Sequence, residues 1–204
     1  MDRKAHWEGV YEARRPDEVS WHQPVPTRSL ELLAEAGVGP ETSIIDIGGG
    51  DATLVDALLE RGVGRVTVLD LSGAALARAR ARLGPRAGDV EWREADVTRA
   101  ALPPRAYDVW HDRAVFHFLT DAEDRRRYVD AAAEALRPEG TLVVATFAAD
   151  GPLRCSGLEV ARYSPEALAR EFGDRFALVR GFGDVHRTPS GAEQRFTFVV
   201  LRRA

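Results

Sequence analysis

Four aspartates each follow a short apolar run in this chain, and three consecutive glycines come soon after the first. That first run is Ser43-Ile-Ile-Asp46-Ile-Gly48-Gly-Gly50, and the other runs end at Asp70, Asp96 and Asp112. An apolar strand that enters a glycine turn and then a helix is typical of a nucleoside-cofactor site in a doubly wound α/β fold. Four carboxylates at strand ends therefore predict a ligand that they share.

The glycine turn also distinguishes between nucleoside cofactors. Dinucleotide sites require a third glycine at the position held here by Thr53. That glycine lets the helix pack closely while its N-terminus faces a pyrophosphate. Asp46 instead places a carboxylate just before the turn, which would repel a pyrophosphate but suits an ammonium group. S-adenosylmethionine carries an ammonium and a sulfonium and has no phosphate. The turn therefore predicts a site for this methyl donor, with S-adenosylhomocysteine as the product.

The predicted contacts to the cofactor come from several strand ends and from the N-terminal region. Asp70 is placed to accept hydrogen bonds from both ribose hydroxyls. Asp96 can reach the exocyclic amine of adenine, with Val97 packed on the ring. The predicted cofactor-binding residues are Asp46, Gly48, Gly50, Asp70, Leu71, Asp96, Val97, His111 and Trp21.

Strand and helix signals alternate along the rest of the chain. Strands are predicted at 44–47, 65–69, 90–95, 107–110, 141–146, 176–180 and 195–201. Helices are predicted at 27–36, 53–61, 72–83, 121–136 and 164–172, the fourth of them stopped by Pro138 and Gly140. This order predicts a Rossmann-like, doubly wound α/β fold with a mainly parallel seven-stranded sheet and an antiparallel last strand.

Residues 1–26 form a separate cover segment in this prediction, and residues 27–204 form one cofactor-binding domain. The cover segment has aromatic residues among polar ones and no strand signal. It could be a lid over a pocket or an arm that docks on the core.

Composition narrows the class of protein. The chain has 204 residues, 45% of them hydrophobic and 29% charged, which is ordinary globular usage for one domain. A net charge of −4 does not favour a nucleic-acid partner, and no apolar run is long enough to span a membrane. A single cysteine excludes an internal disulfide, and no histidine pair has the spacing of a metal site. We expect a cytoplasmic protein without a metal.

The series Asp46-x-Gly48-x-Gly50, Asp70 and Asp96 resembles the class I S-adenosylmethionine-dependent methyltransferases, over nearly the whole chain from Thr27 onward. Ala52 stands where the commonest form of that motif often has a third alternate glycine. The resemblance implies a methyltransferase that uses S-adenosylmethionine.

Loop sequences resemble two families of this class more closely. Three stretches are similar to segments of the thiopurine S-methyltransferases. They are Tyr107-Asp-Val-Trp-His-Asp-Arg-Ala114, the run from Gly151 to Pro165, and Trp21-His-Gln-Pro24. The tail Val185-His-Arg-Thr-Pro-Ser-Gly191, with Arg195-Phe196, resembles the tellurite-resistance methyltransferases. Both families methylate soft chalcogen nucleophiles, which implies a small acceptor that reacts through sulfur, selenium or tellurium.

Methyl transfer to such an acceptor requires mainly that the protein position the acceptor and place a cation near it. The cation would raise the thiolate fraction of the acceptor. Arg113, His186 and Arg187 are the predicted catalytic residues, with His111 and His117 behind them. His117 lies between aromatic residues and is more typical of a core histidine. Cys155 could contact the acceptor or could simply pack as a small hydrophobe.

Two alternatives stay open at this point. The first is a protein lysine methyltransferase, since small enzymes of that kind share the opening Trp-x-x-x-Tyr seen at Trp7 and Tyr11, although Arg113 argues against an ammonium acceptor. The second is a protein that binds the cofactor without catalysis. The sequence leaves open the identity of the acceptor and the oligomeric state, because acceptor loops vary freely on this fold.

Overall fold

Strands and helices alternate along the chain from Ser43 onward in the computed structural model, which describes residues 2–204. Within that range the helices are α1 (Arg3–Ala13), α2 (Thr27–Glu35), α3 (Leu54–Glu60), α4 (Gly73–Leu83), α5 (Ala122–Ala135) and α6 (Pro165–Glu171). The strands are β1 (Ser43–Ile47), β2 (Arg65–Asp70), β3 (Val90–Glu94), β4 (Tyr107–Arg113), β5 (Leu136–Phe147), β6 (Arg154–Cys155), β7 (Leu158–Glu159), β8 (Phe176–Arg187) and β9 (Glu193–Arg203).

Seven of these strands form one sheet in the order β3-β2-β1-β4-β5-β9-β8. Neighbouring strands from β3 to β5 are parallel, and β9 runs antiparallel to both β5 and β8. The predicted Rossmann-like fold with an antiparallel last strand is therefore confirmed. The strand order reverses between β1 and β4, and the carboxyl ends of parallel strands at such a point form the usual ligand crevice.

Helices cover both faces of the sheet, which explains why the central strands are apolar without strict alternation. All five residues of β1 are buried. Trp110 of β4 packs with Tyr128 of α5 in one core, whereas the adjacent Val109 packs with residues of α2, α3 and α4 in another. This packing fixes the strand ends that carry the predicted site. None of the helices between residues 2 and 204 has the length and apolarity needed to cross a membrane.

Several strands are longer than the sequence pattern predicts, and two of these extensions carry predicted site residues. The fourth continues past Trp110 to Arg113, because residues 109–113 pair in register with residues 141–145 of β5. The eighth continues past Arg180 to Arg187, since residues 180–187 pair with β9. His111, Arg113, His186 and Arg187 therefore lie in strands, and the predicted strand bounds, which left all four residues outside, are too short.

The helix predicted to stop at Pro138 and Gly140 ends earlier, at Ala135, and both residues lie in β5. The strand begins at Leu136 because this residue pairs with Tyr107, and a register irregularity between Tyr107 and Val109 accommodates the proline. Serine side chains cap two of the helices, since Ser72 accepts a hydrogen bond from the Ala75 amide and Ser164 from that of Ala167.

The cover segment contains a helix that its sequence pattern did not indicate. Asp2 caps α1 by accepting hydrogen bonds from the amides of Lys4 and Ala5. A short 3₁₀ turn follows at Pro16–Glu18, and a series of turns and bends then leads to α2. A small two-stranded ribbon of β6 and β7 was not predicted either.

Candidate active site at the carboxyl ends of the strands

The turn after β1 requires glycine at specific positions. Gly48 and Gly50 have φ values of +65° and +33°, which residues with a Cβ rarely adopt. A Cβ on Gly48 would overlap the Val115 side chain, and one on Gly50 would lie 2.5 Å from Oδ2 of Asp70. The glycines therefore let the backbone approach the ends of β2 and β4 closely and leave a cradle beside Asp70.

Asp70 ends β2 as a buried carboxylate. Its Oδ1 accepts a hydrogen bond from the Ser72 amide at 2.8 Å. Burial, reinforced by the nearby Asp46 carboxylate, raises the pKa of Asp70 to about 7. A buried acid in this state gains from a ligand that donates hydrogen bonds to its ionised form.

A cleft of two adjacent chambers opens along these strand ends. The larger chamber offers about 830 Å³ of space, which includes part of the open solvent, and is lined by the predicted residues Asp70, Leu71, Asp96 and Val97. The smaller chamber offers about 690 Å³ measured in the same way and is lined by Asp46, Gly48, Gly49 and His111. Both chambers share five lining residues, which are Tyr11, Trp21, Ile47, Gly48 and Arg113.

In the larger chamber, one oxygen of the Asp96 side chain already accepts hydrogen bonds within a local turn. Its Oδ1 accepts hydrogen bonds from the Thr98 amide at 2.9 Å and from the Thr98 hydroxyl at 2.7 Å. Asp96 still borders the chamber together with Val97. The structure thus brings the predicted nucleoside-side residues together around one cavity.

Asp46, His111 and Ser29 form a chain of buried groups in the smaller chamber. Nδ1 of His111 donates to Oδ1 of Asp46 at 2.6 Å, because an ionised carboxylate can only accept. The Ser29 hydroxyl then donates to Nε2 of His111 at 2.8 Å. Sequence reasoning found Asp46 and His111 but missed Ser29, which lies in an ordinary helix pattern.

Arg113 is the only predicted catalytic residue that lines the cleft in the described part of the chain. Arg113 is partly buried and its Nη2 atom fully so. Its guanidinium donates from Nη1 to the Trp21 carbonyl at 3.0 Å and lies 5.1 Å from the ring of Phe196. Within residues 2–204, Nη2 has no hydrogen-bond partner and no carboxylate lies within ion-pair distance. Burial lowers the pKa of Arg113 to about 10, which still leaves it cationic at neutral pH.

His186 and Arg187 line neither chamber. Nε2 of the buried His186 donates to the Ser20 carbonyl at 2.7 Å, so this residue supports the cover segment. Arg187 is exposed and pairs with Glu193 at 2.6 Å. The structure therefore does not bring these two predicted catalytic residues into the cleft.

The fourth strand-end carboxylate also faces away from the cleft. Asp112 is fully buried and accepts hydrogen bonds from the Val115 and Phe116 amides and from the Tyr128 hydroxyl. Burial raises its pKa to about 6. The expectation of one ligand shared by four aspartates is wrong for Asp112, which holds the turn after Arg113. That turn includes Ala114 at a φ of +75°, a strained position for a residue with a Cβ.

The cover segment is fastened over the cleft at both ends. Glu8 of α1 accepts hydrogen bonds from the Ser72 hydroxyl and from the Gly73 and Ala74 amides, so it occupies the N-terminus of α4. Near its other end, the Thr53 hydroxyl donates to the Gln23 carbonyl at 2.8 Å. Between these anchors Tyr11 and Trp21 form part of the walls of both chambers.

The surroundings of two further side chains that the sequence singled out, Cys155 and His117, make both unreactive. Cys155 borders the larger chamber, but burial raises the pKa of its thiol to about 11, so it is a poor nucleophile. His117 is buried in the core, where its Nδ1 accepts from the Phe147 amide at 3.3 Å and burial lowers its pKa to about 3.

Residues 44–140 match the protein family described as a methyltransferase domain. No curated protein matches the sequence.

Solved structures share the fold over almost the full chain. A chain from a study of the conversion of a disulfide bond into a thioacetal group during echinomycin biosynthesis has a TM-score of 0.77 at 18% identity, covering 98% of this chain and 92% of its own. An S-adenosylmethionine-dependent methyltransferase from Anabaena variabilis has a TM-score of 0.77 at 16% identity, covering 100% and 96%. The N-methyltransferase NodS from Bradyrhizobium japonicum, bound to S-adenosylhomocysteine, has a TM-score of 0.72 at 16% identity, covering 99% of both chains.

Proposed function

We propose that this chain, whose residues 44–140 match a methyltransferase domain, is a class I S-adenosylmethionine-dependent methyltransferase whose cleft holds the donor beside a small acceptor that reacts as a thiolate or another chalcogen anion. When bound, the donor supplies a methyl group activated by a sulfonium. The protein's part is to bind, to orient and to exclude water.

The residues around the larger chamber fit the nucleoside half of the donor. Asp70 Oδ1 is held by one backbone amide, and Oδ2 faces the cradle that the missing Cβ of Gly50 leaves open. A ribose hydroxyl pair would supply the hydrogen bonds that a buried carboxylate needs. Leu71 and Val97 offer apolar contacts for adenine, and Asp46 provides negative charge for the ammonium at the other end.

Arg113 is the observation that carries the acceptor assignment. A buried guanidinium without an anionic partner is costly unless a ligand brings the negative charge. It borders both chambers, so it lies where donor and acceptor would meet. Because arginine stays protonated, it would stabilise a thiolate and lower the pKa of a thiol from its ordinary value of about 8.5.

The same charge disfavours the lysine alternative. A protonated lysine would be repelled by Arg113, and a neutral lysine would gain nothing from it. The study that includes the echinomycin structural neighbour concerns the conversion of a disulfide bond. At 18% identity, the likeness to that neighbour shows the fold alone. The proposal therefore depends on Arg113 and on the chemistry of this cleft.

An assay of S-adenosylhomocysteine release with a panel of acceptors tests this proposal. The panel contains alkyl and aryl thiols, a selenol, tellurite, primary amines, phenols and a lysine peptide. We expect turnover with thiols or other chalcogen compounds and only background release with amines. Efficient methylation of the lysine peptide, with no activity on any chalcogen compound, would overturn the acceptor assignment.

Removal of residues 1–25 should weaken binding of S-adenosylmethionine while the sheet stays folded. The deletion takes Tyr11 and Trp21 from the cleft walls, and burying such a side chain contributes about 1.5–3 kcal/mol, so we expect roughly tenfold to hundredfold weaker binding. Calorimetry gives the affinity, and circular dichroism checks the fold. Glu8→Gln, which weakens one anchor and keeps the aromatic walls, should show a smaller loss. Unchanged affinity in the truncated chain would show that the cover segment only packs on the core.

A further inference from the structure

Three buried side chains in the smaller chamber stand in a line whose order suits proton transfer. The Ser29 hydroxyl is 2.8 Å from Nε2 of His111, and Nδ1 of the same ring is 2.6 Å from Asp46. All three residues border the chamber, yet none exposes more than 3% of its surface. The hydroxyl, the imidazole and the carboxylate are therefore preorganised and shielded from bulk water.

The fold itself produces this arrangement. Asp46 and His111 are paired residues in the parallel register of β1 and β4, so their side chains leave the sheet on the same face. Ser29 comes from the first turn of α2, which packs over that face. Because Nδ1 donates to the carboxylate, Nε2 presents its lone pair to the Ser29 hydroxyl. The free imidazole can thus receive a proton only through Ser29.

We propose that Ser29, His111 and Asp46 form a proton relay that deprotonates a neutral acceptor during methyl transfer. The inference rests on the proposed function, since the acceptor is the proton source. The acceptor's S–H proton passes to Ser29 Oγ while the Ser29 proton passes to Nε2 of His111. The acceptor sulfur then forms a bond to the methyl carbon, and the electron pair of the broken carbon–sulfonium bond stays on the donor sulfur.

The relay supplies what Arg113 cannot. A guanidinium stabilises an anion but cannot accept a proton. Asp46 stabilises the imidazolium that forms, and after product release the proton leaves through Ser29 to water. Arg113 alone would raise the thiolate fraction of a bound thiol but would give the released proton no acceptor. With the relay, the acceptor class includes alkanethiols that are still protonated at neutral pH.

Two acceptors of different acidity test the relay. An arenethiol that is ionised at the assay pH needs no base, whereas an alkanethiol that is protonated does. Ser29→Ala and His111→Gln should lower kcat for the alkanethiol by about 10²- to 10⁴-fold, the usual contribution of acid–base catalysis, and kcat for the arenethiol by less than about tenfold. Ser190→Ala, in the exposed hairpin turn, is the matched control and should change neither rate. Binding of S-adenosylhomocysteine and thermal unfolding show which variants stay folded, and Ser29→Ala alone decides the test where His111→Gln does not fold.

The outcomes separate the two proposals. Equal losses for both thiols in a folded Ser29→Ala variant would overturn the relay while the thiol methyltransferase stands. Absence of turnover with either thiol in the unaltered enzyme would overturn the proposed function, and the relay with it. A loss confined to the protonated thiol supports both.

Discussion

Replacing Asp70 with asparagine should weaken binding of S-adenosylmethionine by at least about 100-fold, because hydrogen bonds to a charged acceptor contribute roughly 1.5–3 kcal/mol each. The variant keeps the hydrogen bond from the Ser72 amide, so the turn after β2 should remain in place. Isothermal titration of donor and product measures the effect. Asp130→Asn, an exposed carboxylate paired with Arg175, is the control and should bind normally.

The affinity of the unaltered enzyme should also depend on pH through Asp70. Its pKa in the folded, free protein is about 7, and the ligand prefers the ionised form. Affinity should therefore be constant well above pH 7 and fall by up to about tenfold per pH unit below it. The Asp70→Asn variant should lose this dependence, whereas an unchanged pH profile in that variant would place the titrating group elsewhere.

The raised pKa of Asp70 makes folding stability change with pH in the opposite direction to donor affinity. The pKa of Asp70 is raised above its unfolded value of about 3.8. Between these two values the folded chain binds more protons, so the free energy of unfolding contributed by this group falls as pH rises from 4 to 7. The ligand-free Asp70→Asn protein should therefore be more stable than the unaltered protein at pH 8. Thermal unfolding at pH 5 and pH 8 checks the sign.

Replacing Arg113 with methionine should reduce kcat for thiols by about 10²- to 10³-fold, the size of effect seen when one charge-stabilising donor is removed. Methionine keeps much of the side-chain volume beside Phe196. Because we assign Arg113 to the acceptor, the dissociation constant of S-adenosylmethionine should change little. Arg187→Met removes an exposed arginine of β8 that lines neither chamber and should leave both quantities unchanged.

Two other patterns of loss in donor affinity and kcat would give Arg113 a different role. If donor affinity fell as far as kcat, the guanidinium would be a ligand of the donor's own carboxylate. If all acceptors, including amines, lost activity in proportion to a loss of stability, Arg113 would only shape the turn that follows it.

The parts of the site that depend on local sequence could be predicted. The strand, the glycine turn and the helix lie within one short stretch around Asp46, and their φ values follow from the glycines themselves. Asp70 could be placed because one strand–helix–strand unit has a predictable length. These residues define the fold class and the donor.

Features that depend on distant contacts could not be predicted in this way. Helix α1 is fixed partly by Glu8, whose partner Ser72 lies 64 residues further along the chain. The end of β4 is set by pairing with β5, for which the local sequence gives no signal, so the pattern predicts a strand that ends at Trp110. The link from Asp46 through His111 to Ser29 arises from strand register and helix docking, for which the sequence carries no periodic signal.

A crystal structure of the enzyme with S-adenosylhomocysteine and a thiol acceptor would test the central claim most directly. We expect the ribose hydroxyls on Asp70 and the acceptor sulfur within hydrogen-bond distance of Nη2 of Arg113. If the homocysteine carboxylate occupied Nη2 and the acceptor sulfur lay away from Arg113, the assignment of an anionic chalcogen acceptor would be contradicted.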